Sequence, residues 1–210
     1  EDLQVNWFRD ESETGGAEDL CTKRDFVDLD GDGRPDLVRT AGWSAGNPVW
    51  QVRLNQGPSS PTLFGPTTSW PAPAPCLVER HIDADSHLAT THRAVIDMNG
   101  DGRPDHVSVA QNELRVFLND GARFVSPYQV WATALPALRE GNVQTGEVRR
   151  DLIDLNADGR PDGVHAQLGG AWQVRWNLGT SLGTAANVPG PTLALRNGGP
   201  DSGDRTIRTD

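Results

Sequence analysis

The chain has no apolar run approaching the ~20 residues of a membrane-crossing helix, so a helical membrane span is excluded. It contains no G-x-S-x-G and no H-E-x-x-H motif, and no Cys-His pair placed for nucleophilic catalysis; a hydrolase is therefore not expected. Basic residues are in the minority, 19 against 29 acidic, for a net charge of -10. That balance argues against nucleic acid as a partner. Glu1-Asp2 opens the chain with neither the basic region nor the apolar stretch of a signal peptide, so a mature or excised chain is expected.

What the chain does have is one acidic loop written three times: Asp28 to Asp36 (DLDGDGRPD), Asp97 to Asp105 (DMNGDGRPD) and Asp154 to Asp162 (DLNADGRPD). Each places Asp or Asn at positions 1, 3, 5 and 9, with a shared Gly-Arg-Pro-Asp ending. Asp and Gly also crowd ordinary surface turns, but a plain turn does not need four oxygen-bearing side chains at odd positions. Oxygen ligands gathered by a tight turn suit a hard cation, and Ca²⁺ is the expected occupant, about three ions for three loops. The side-chain ligands are Asp28, Asp30, Asp32 and Asp36, then Asp97, Asn99, Asp101 and Asp105, then Asp154, Asn156, Asp158 and Asp162. Three bound Ca²⁺ would bring the charge to about -4, so the acidity reflects cation sites rather than an anionic binding face.

An EF-hand does not account for these loops. Its twelfth position requires a bidentate Glu, and here that position holds Arg39, Ser108 and His165. Position 8 is Pro35, Pro104 and Pro161, which have no N–H to pair with a partner loop. In place of a helix, each loop leads into a short apolar run such as Val107-Ser108-Val109, which reads as a strand.

The loops sit inside a longer repeat. After each comes an alternating strand, Trp50 to Asn55, Leu114 to Asn119 and Trp172 to Asn177, closed by a turn at Gly57, Gly121 and Gly179. A third segment is expected at Phe64-Gly65-Pro66, Phe124 to Pro127 and Leu182-Gly183, and a fourth, outer one at Trp70 and Trp131. Arg24, Arg93 and Arg150 stand four residues before the loops, with the pairs Phe26-Val27, Val95-Ile96 and Leu152-Ile153 expected in the core. The fold expected is all-β: a propeller-type array of three to four four-stranded antiparallel blades carrying calcium loops. Its parts are the end of a preceding blade with an acidic linker (1–20), unit 1 with a Pro-rich connector (21–92), unit 2 (93–149), and unit 3 with the lead-in to a further blade (150–210).

Loop, strand, W-x-V-x-L-N-x-G-like strand and Phe-Gly doublet together resemble the FG-GAP or VCBS repeat of integrin-α-type β-propellers, over roughly residues 24 to 190. They are similar in particular to repeats in SpvB-like and Rhs-related B components of bacterial toxin complexes. The resemblance implies the same side-chain ligands, and adds the backbone carbonyls of Arg34, Arg103 and Arg160 at position 7. It also implies more blades than three loops supply. Leu3 to Trp7 matches the Trp172 to Trp176 strand, and Arg205 to Asp210 resembles the lead-in to a fourth loop. The expected role is a structural and protein-interaction scaffold in a secreted or cell-surface bacterial protein, its partner another protein or the remaining blades of the same propeller. A carbohydrate-binding propeller and a non-catalytic domain of a secreted hydrolase are the alternatives.

Four features stand outside the repeat. Cys21 and Cys76 lie in adjacent connectors, where export favours a disulfide and two separate thiols is the other reading. His81, Asp83, Asp85, His87 and His92 lack the spacing that would aim them at one metal, so a solvated insertion is expected. Asp10 to Asp19 reads as a mobile linker. Trp43, in a Gly-rich turn, either stacks on a glycan or packs on a neighbouring blade; the other six Trp are expected in the core.

Overall fold

The computed structural model describes residues 11–13, 18–166 and 171–190, and these form antiparallel β-structure throughout. The Leu3–Trp7 and Arg205–Asp210 matches lie outside the described residues.

Unit 1 is a four-stranded sheet in sequential order: β3 (Arg24–Val27), β4 (Asp36–Arg39), β5 (Val49–Arg53) and β6 (Thr68–Pro71). Two strands, β1 (Glu11–Glu13) and β2 (Glu18–Thr22), precede it as a hairpin where the sequence suggests a linker. The second unit runs through β8 (Leu88–Ile96), β9 (Asp105–Ala110), β10 (Glu113–Phe117) and β11 (Gln129–Thr133). In the third, β13 (Val148–Ile153), β14 (Asp162–Ala166), β15 (Ala171–Arg175) and β16 (Ala186–Pro189) pair in the same way. Each acidic loop joins the first two strands of its unit.

The count of four strands per unit agrees with the sequence, but their identities differ. The strand before each loop is a full member of the sheet, whereas the segments at Phe64, Phe124 and Leu182 contribute only single bridges to Asn55, Asn119 and Asn177. The reason is the close succession of turn residues around each of them, which leaves no room for a ladder.

Units 2 and 3 are not separate sheets. Hairpins β7 (Val78–Ile82) with β8, and β12 (Arg139–Asn142) with β13, pair side by side, so that β8 and β13 each run from a hairpin into their own unit within one 12-stranded sheet. The path β1-β2-β7-β8-β12-β13 curls as a half-barrel around a groove of about 550 Å³. Alternate residues of neighbouring strands, among them Val78, Arg80, Ile82, Ala89 and Thr91, face that groove, as the two-residue period of a strand requires. The Pro-rich connector is thus largely ordered structure. A disulfide between Cys21 and Cys76 ties β2 to the end of unit 1.

Alternation along β5 and β10 buries Trp50 and Val52, and Leu114 and Val116, on one face. Each core is completed from the next unit. Phe124 of unit 2 belongs to the cluster of Leu29, Val38, Trp50 and Trp70, and Leu182 of unit 3 to the cluster of Met98, Leu114 and Trp131. Two expected core residues lie outside: Phe26 is 43% exposed and Trp176 37%. Trp50, Trp70 and Trp131 are buried as expected, and Trp172 is half-buried.

Candidate metal centres

The loops are built around their first and last aspartates. Asp28 Oδ1 accepts from the N–H groups of Gly31 and Asp32 at 2.9 and 3.1 Å, and its Oδ2 accepts from Gly33 at 2.8 Å. Asp36 is fully buried; its Oδ2 accepts from Leu29 N–H at 2.9 Å and its Oδ1 from Asn55 N–H at 2.8 Å. Asp97 and Asp154 clamp their own loops likewise, through Gly100 and Gly102, and through Asp158 and Gly159. Asp105 holds Met98 and Asn119, and Asp162 holds Leu155 and Asn177. Each loop is therefore folded by carboxylates receiving backbone N–H groups, an arrangement strengthened by the negative charge of the acceptor.

In the first loop, carboxylate oxygens of Asp28, Asp30 and Asp36 all lie within 4.8 Å of one another. Burial first, and then the Asp32 and Asp28 charges, raises Asp30 above the usual carboxylate range. Asp36 is raised too, by burial above all and then by the Asp30 and Asp32 charges. Burial also pushes Asp105 up to about 6, helped by Asp101 and Asp97. Carboxylates crowded in this way favour either protons or a cation, and a set of hard oxygens fits Ca²⁺.

Position 5 is engaged differently. Asp32, Asp101 and Asp158 each pair with the Arg two residues on; Arg103 and Arg160 Nη2 lie 2.6 and 2.8 Å from their partners, and Arg34 makes the same contact. The other oxygen of each receives that Arg's backbone N–H at 2.9 Å. In the second and third loops Asn99 and Asn156 stand at position 3 and donate from Nδ2 to Asp101 and Asp158 at 3.0 Å.

The arginines also connect the loops. Arg34 and Arg103 donate from Nε to the carbonyls of Asn55 and Asn119 at 2.8 and 3.1 Å. A Cβ placed on Gly31 would lie 2.7 Å from Arg103 Cγ, and one on Gly100 3.0 Å from Arg160 Cγ. Successive loops thus pack against each other at one end of the array. Sequence reading assigned position 7 only a carbonyl and missed this side-chain role. The fixed pairing of Arg in the loop with Asn at the end of the third strand was the available signal.

The remaining candidates are structural. Trp43 donates its indole N–H to Ala72 O at 2.9 Å and packs against the unit 1 core, so its ring is committed within its own unit. Asp83 Oδ1 caps the β7–β8 hairpin, accepting from the backbone of Asp85 and the backbone and hydroxyl of Ser86. His92 Nε2 lies 3.0 Å from Thr90 Oγ1. No helix among the described residues is long and apolar enough to cross a membrane.

No family model and no curated protein matches the chain. Among solved structures it is similar to an Agrocybe aegerita lectin described as recognising non-reducing terminal N-acetylglucosamine. The identity is 18% over 83% of this chain and 53% of that one, with a TM-score of 0.39. It is also similar to the Photorhabdus luminescens Tc holotoxin pore, at 12% identity over 90% of this chain and 13% of that one, with a TM-score of 0.22. The chain spans about half the length of the lectin and a small part of the toxin chain.

Proposed function

We propose that the chain is a calcium-stabilised segment of an FG-GAP or VCBS-type β-propeller that serves as a structural and protein-interaction scaffold. The observation that carries this reading is the convergence of Asp28, Asp30 and Asp36 within 4.8 Å in a turn whose backbone is already fixed by two of them. The second and third loops repeat the same clamp with Asn at position 3, so about three Ca²⁺ are assigned. The four-stranded units, the second and third of which each complete the core of the unit before, supply the blade-like elements of such an array. The disulfide supports an oxidising destination, secreted or on the bacterial surface. The repeated use of the aspartates in loop folding leaves them no catalytic task in this reading, and a protein or further blades are the partners.

Calorimetric titration of chelator-treated protein with Ca²⁺, with elemental analysis of the bound metal, tests the assignment. About three ions per chain and a raised melting temperature are expected. No bound calcium, with the same melting curve in excess chelator, would reduce the loops to ordinary turns.

A further inference from the structure

A second cavity, of about 320 Å³, lies between the connector after β6 and one face of unit 2. One wall is a cross-strand row. Arg93 on β8 stands directly opposite Ser108 on β9, and Ser108 directly opposite Arg115 on β10. Residues paired in this way share a face with Cβ atoms about 5 Å apart, so two guanidinium groups flank one small hydroxyl side chain.

Both arginines are held in place. Arg93 pairs with Glu79 through Nη1. Arg115 donates from Nε and Nη2 to Glu113 at 3.2 and 3.0 Å and lies 4.8 Å from the centroid of the Tyr128 ring. The next row inward is Val95, His106 and Phe117. His106 lines the cavity, is 1% exposed, and has no hydrogen-bond partner at either ring nitrogen.

The repeat itself does not require this arrangement. The same row in unit 1 is Arg24, Arg39 and Gln51, and in unit 3 it is Arg150, His165 and Gln173. Of these three equivalent rows, only that of unit 2 sets a small side chain between two arginines; Thr91, between Arg80 and Arg139 in the half-barrel, is the same juxtaposition outside the repeat. Donors outnumber acceptors on this wall even after the bonds to Glu79, Glu113 and Gln111, because arginine offers five N–H groups and no acceptor, while a neutral imidazole adds one of each. An acceptor-rich ligand matches it. Glu79 and Glu113 already balance the two guanidinium charges, so a ligand of single negative charge fits better than a polyanion.

We propose that this cavity binds a small organic carboxylate, its oxygens between Arg93 and Arg115 above Ser108 and its apolar body along Phe117 and Tyr128. The site is independent of the metal loops and stands or falls separately from them.

The test is calorimetric titration of the full chain, in saturating Ca²⁺, with benzoate, with its neutral isostere benzamide and with phenyl phosphate. Benzoate should bind saturably and about tenfold more tightly than either of the others. Arg115→Gln should weaken benzoate about tenfold, and Arg123→Gln, which alters an exposed pair with Asp120, should leave it unchanged. Should Arg115→Gln fail to fold, Arg115→Lys keeps the charge without the fork and should weaken binding several-fold. Equal affinity for benzamide, preference for phenyl phosphate, indifference to both Arg115 variants, or no saturable benzoate binding below about 10 mM would each overturn the proposal.

Discussion

Asn119 Nδ2 donates to the carbonyl of Leu29, 90 positions earlier, at 2.8 Å, and so fastens unit 2 to the first acidic loop. The same amide donates to Pro104 O at 3.1 Å, while its Oδ1 receives Gly121 N–H at 2.9 Å. Asn177 repeats all three bonds one unit later, with Met98 O as the distant acceptor at 2.8 Å. Leu29 and Met98, the acceptor residues, are 0% exposed, whereas Leu155, their counterpart in the third loop, is 41% exposed.

Asn119→Ala should therefore cost more than a turn residue normally does. It leaves the buried Leu29 carbonyl and the half-buried Pro104 carbonyl without this donor, at about 2–3 kcal/mol. Asn55→Ala, which loses only the local bonds to Pro35 and Gly57, should cost about 1 kcal/mol. Urea denaturation of the two variants checks the difference, and equal losses would mean that the bond between units contributes nothing.

Calcium removal should lower stability by a large fraction. A cation bound only to the folded form adds about 2.7 kcal/mol per site at a hundredfold excess over Kd. Three independent sites reach up to ~8 kcal/mol, comparable with the ~5–15 kcal/mol of a whole domain. The melting temperature should fall in chelator and recover better with Ca²⁺ than with Mg²⁺, whose smaller, stricter octahedron suits these loops less well.

Among the three loops, the first should bind most tightly, having four carboxylates where Asn99 and Asn156 leave the others three. Asp30→Asn should bring it level with them in a calcium titration. An unchanged hierarchy of affinities would count against ligand charge as the deciding factor.

The two glycines of the first loop should respond differently to Ala. Both have φ in the left-handed region, +78° for Gly31 and +83° for Gly33, at a strain of about 1–2 kcal/mol for a residue with a Cβ. Only Gly31→Ala also collides with Arg103, so its loss should be the larger of the two. In the third loop Ala157 already sits at φ 58°, and Ala157→Gly should raise stability by up to about 1 kcal/mol. Thermal melts of the three variants in saturating Ca²⁺ check the order.

Acid sensitivity should trace in part to His106. Burial first, and then the Arg93 charge, lowers its imidazole to about 3; the Cys76 backbone opposes this weakly without completing a hydrogen bond. The unfolded chain takes up that proton near pH 6.5, so stability falls as pH drops from about 6.5 towards 3. Asp105, raised to about 6, acts in the opposite sense in the metal-free protein, because its folded form takes up a proton more readily. His106→Phe, among the rings of Trp50, Phe117 and Phe124, should flatten the His106 part of the acid limb. An unaltered pH profile would show that His106 is not its source.

The loops and the third strands were legible in the sequence because both are local: fixed oxygen positions with turn glycines, and a two-residue apolar period. The half-barrel was not. Its strands β2, β7 and β12 have burial set by partners far along the chain, and β7 in particular is half-buried at every position, without alternation to betray it. Phe26 was misplaced for the same reason, since its exposure depends on which unit covers that face. Arg34, Arg103 and Arg160 were given a role only through their backbone carbonyls, because their side-chain contacts reach the next strand or the neighbouring loop.

The bond between Cys21 and Cys76 encloses every strand of unit 1, from Arg24 to Pro71. Tension applied to the two ends of the chain would pass through that sulfur bridge and bypass the unit altogether. Units 2 and 3 have no such shunt among the described residues. Under mechanical load they would extend while the first loop kept its shape, and reduction of one covalent bond would bring the protected unit into the line of force.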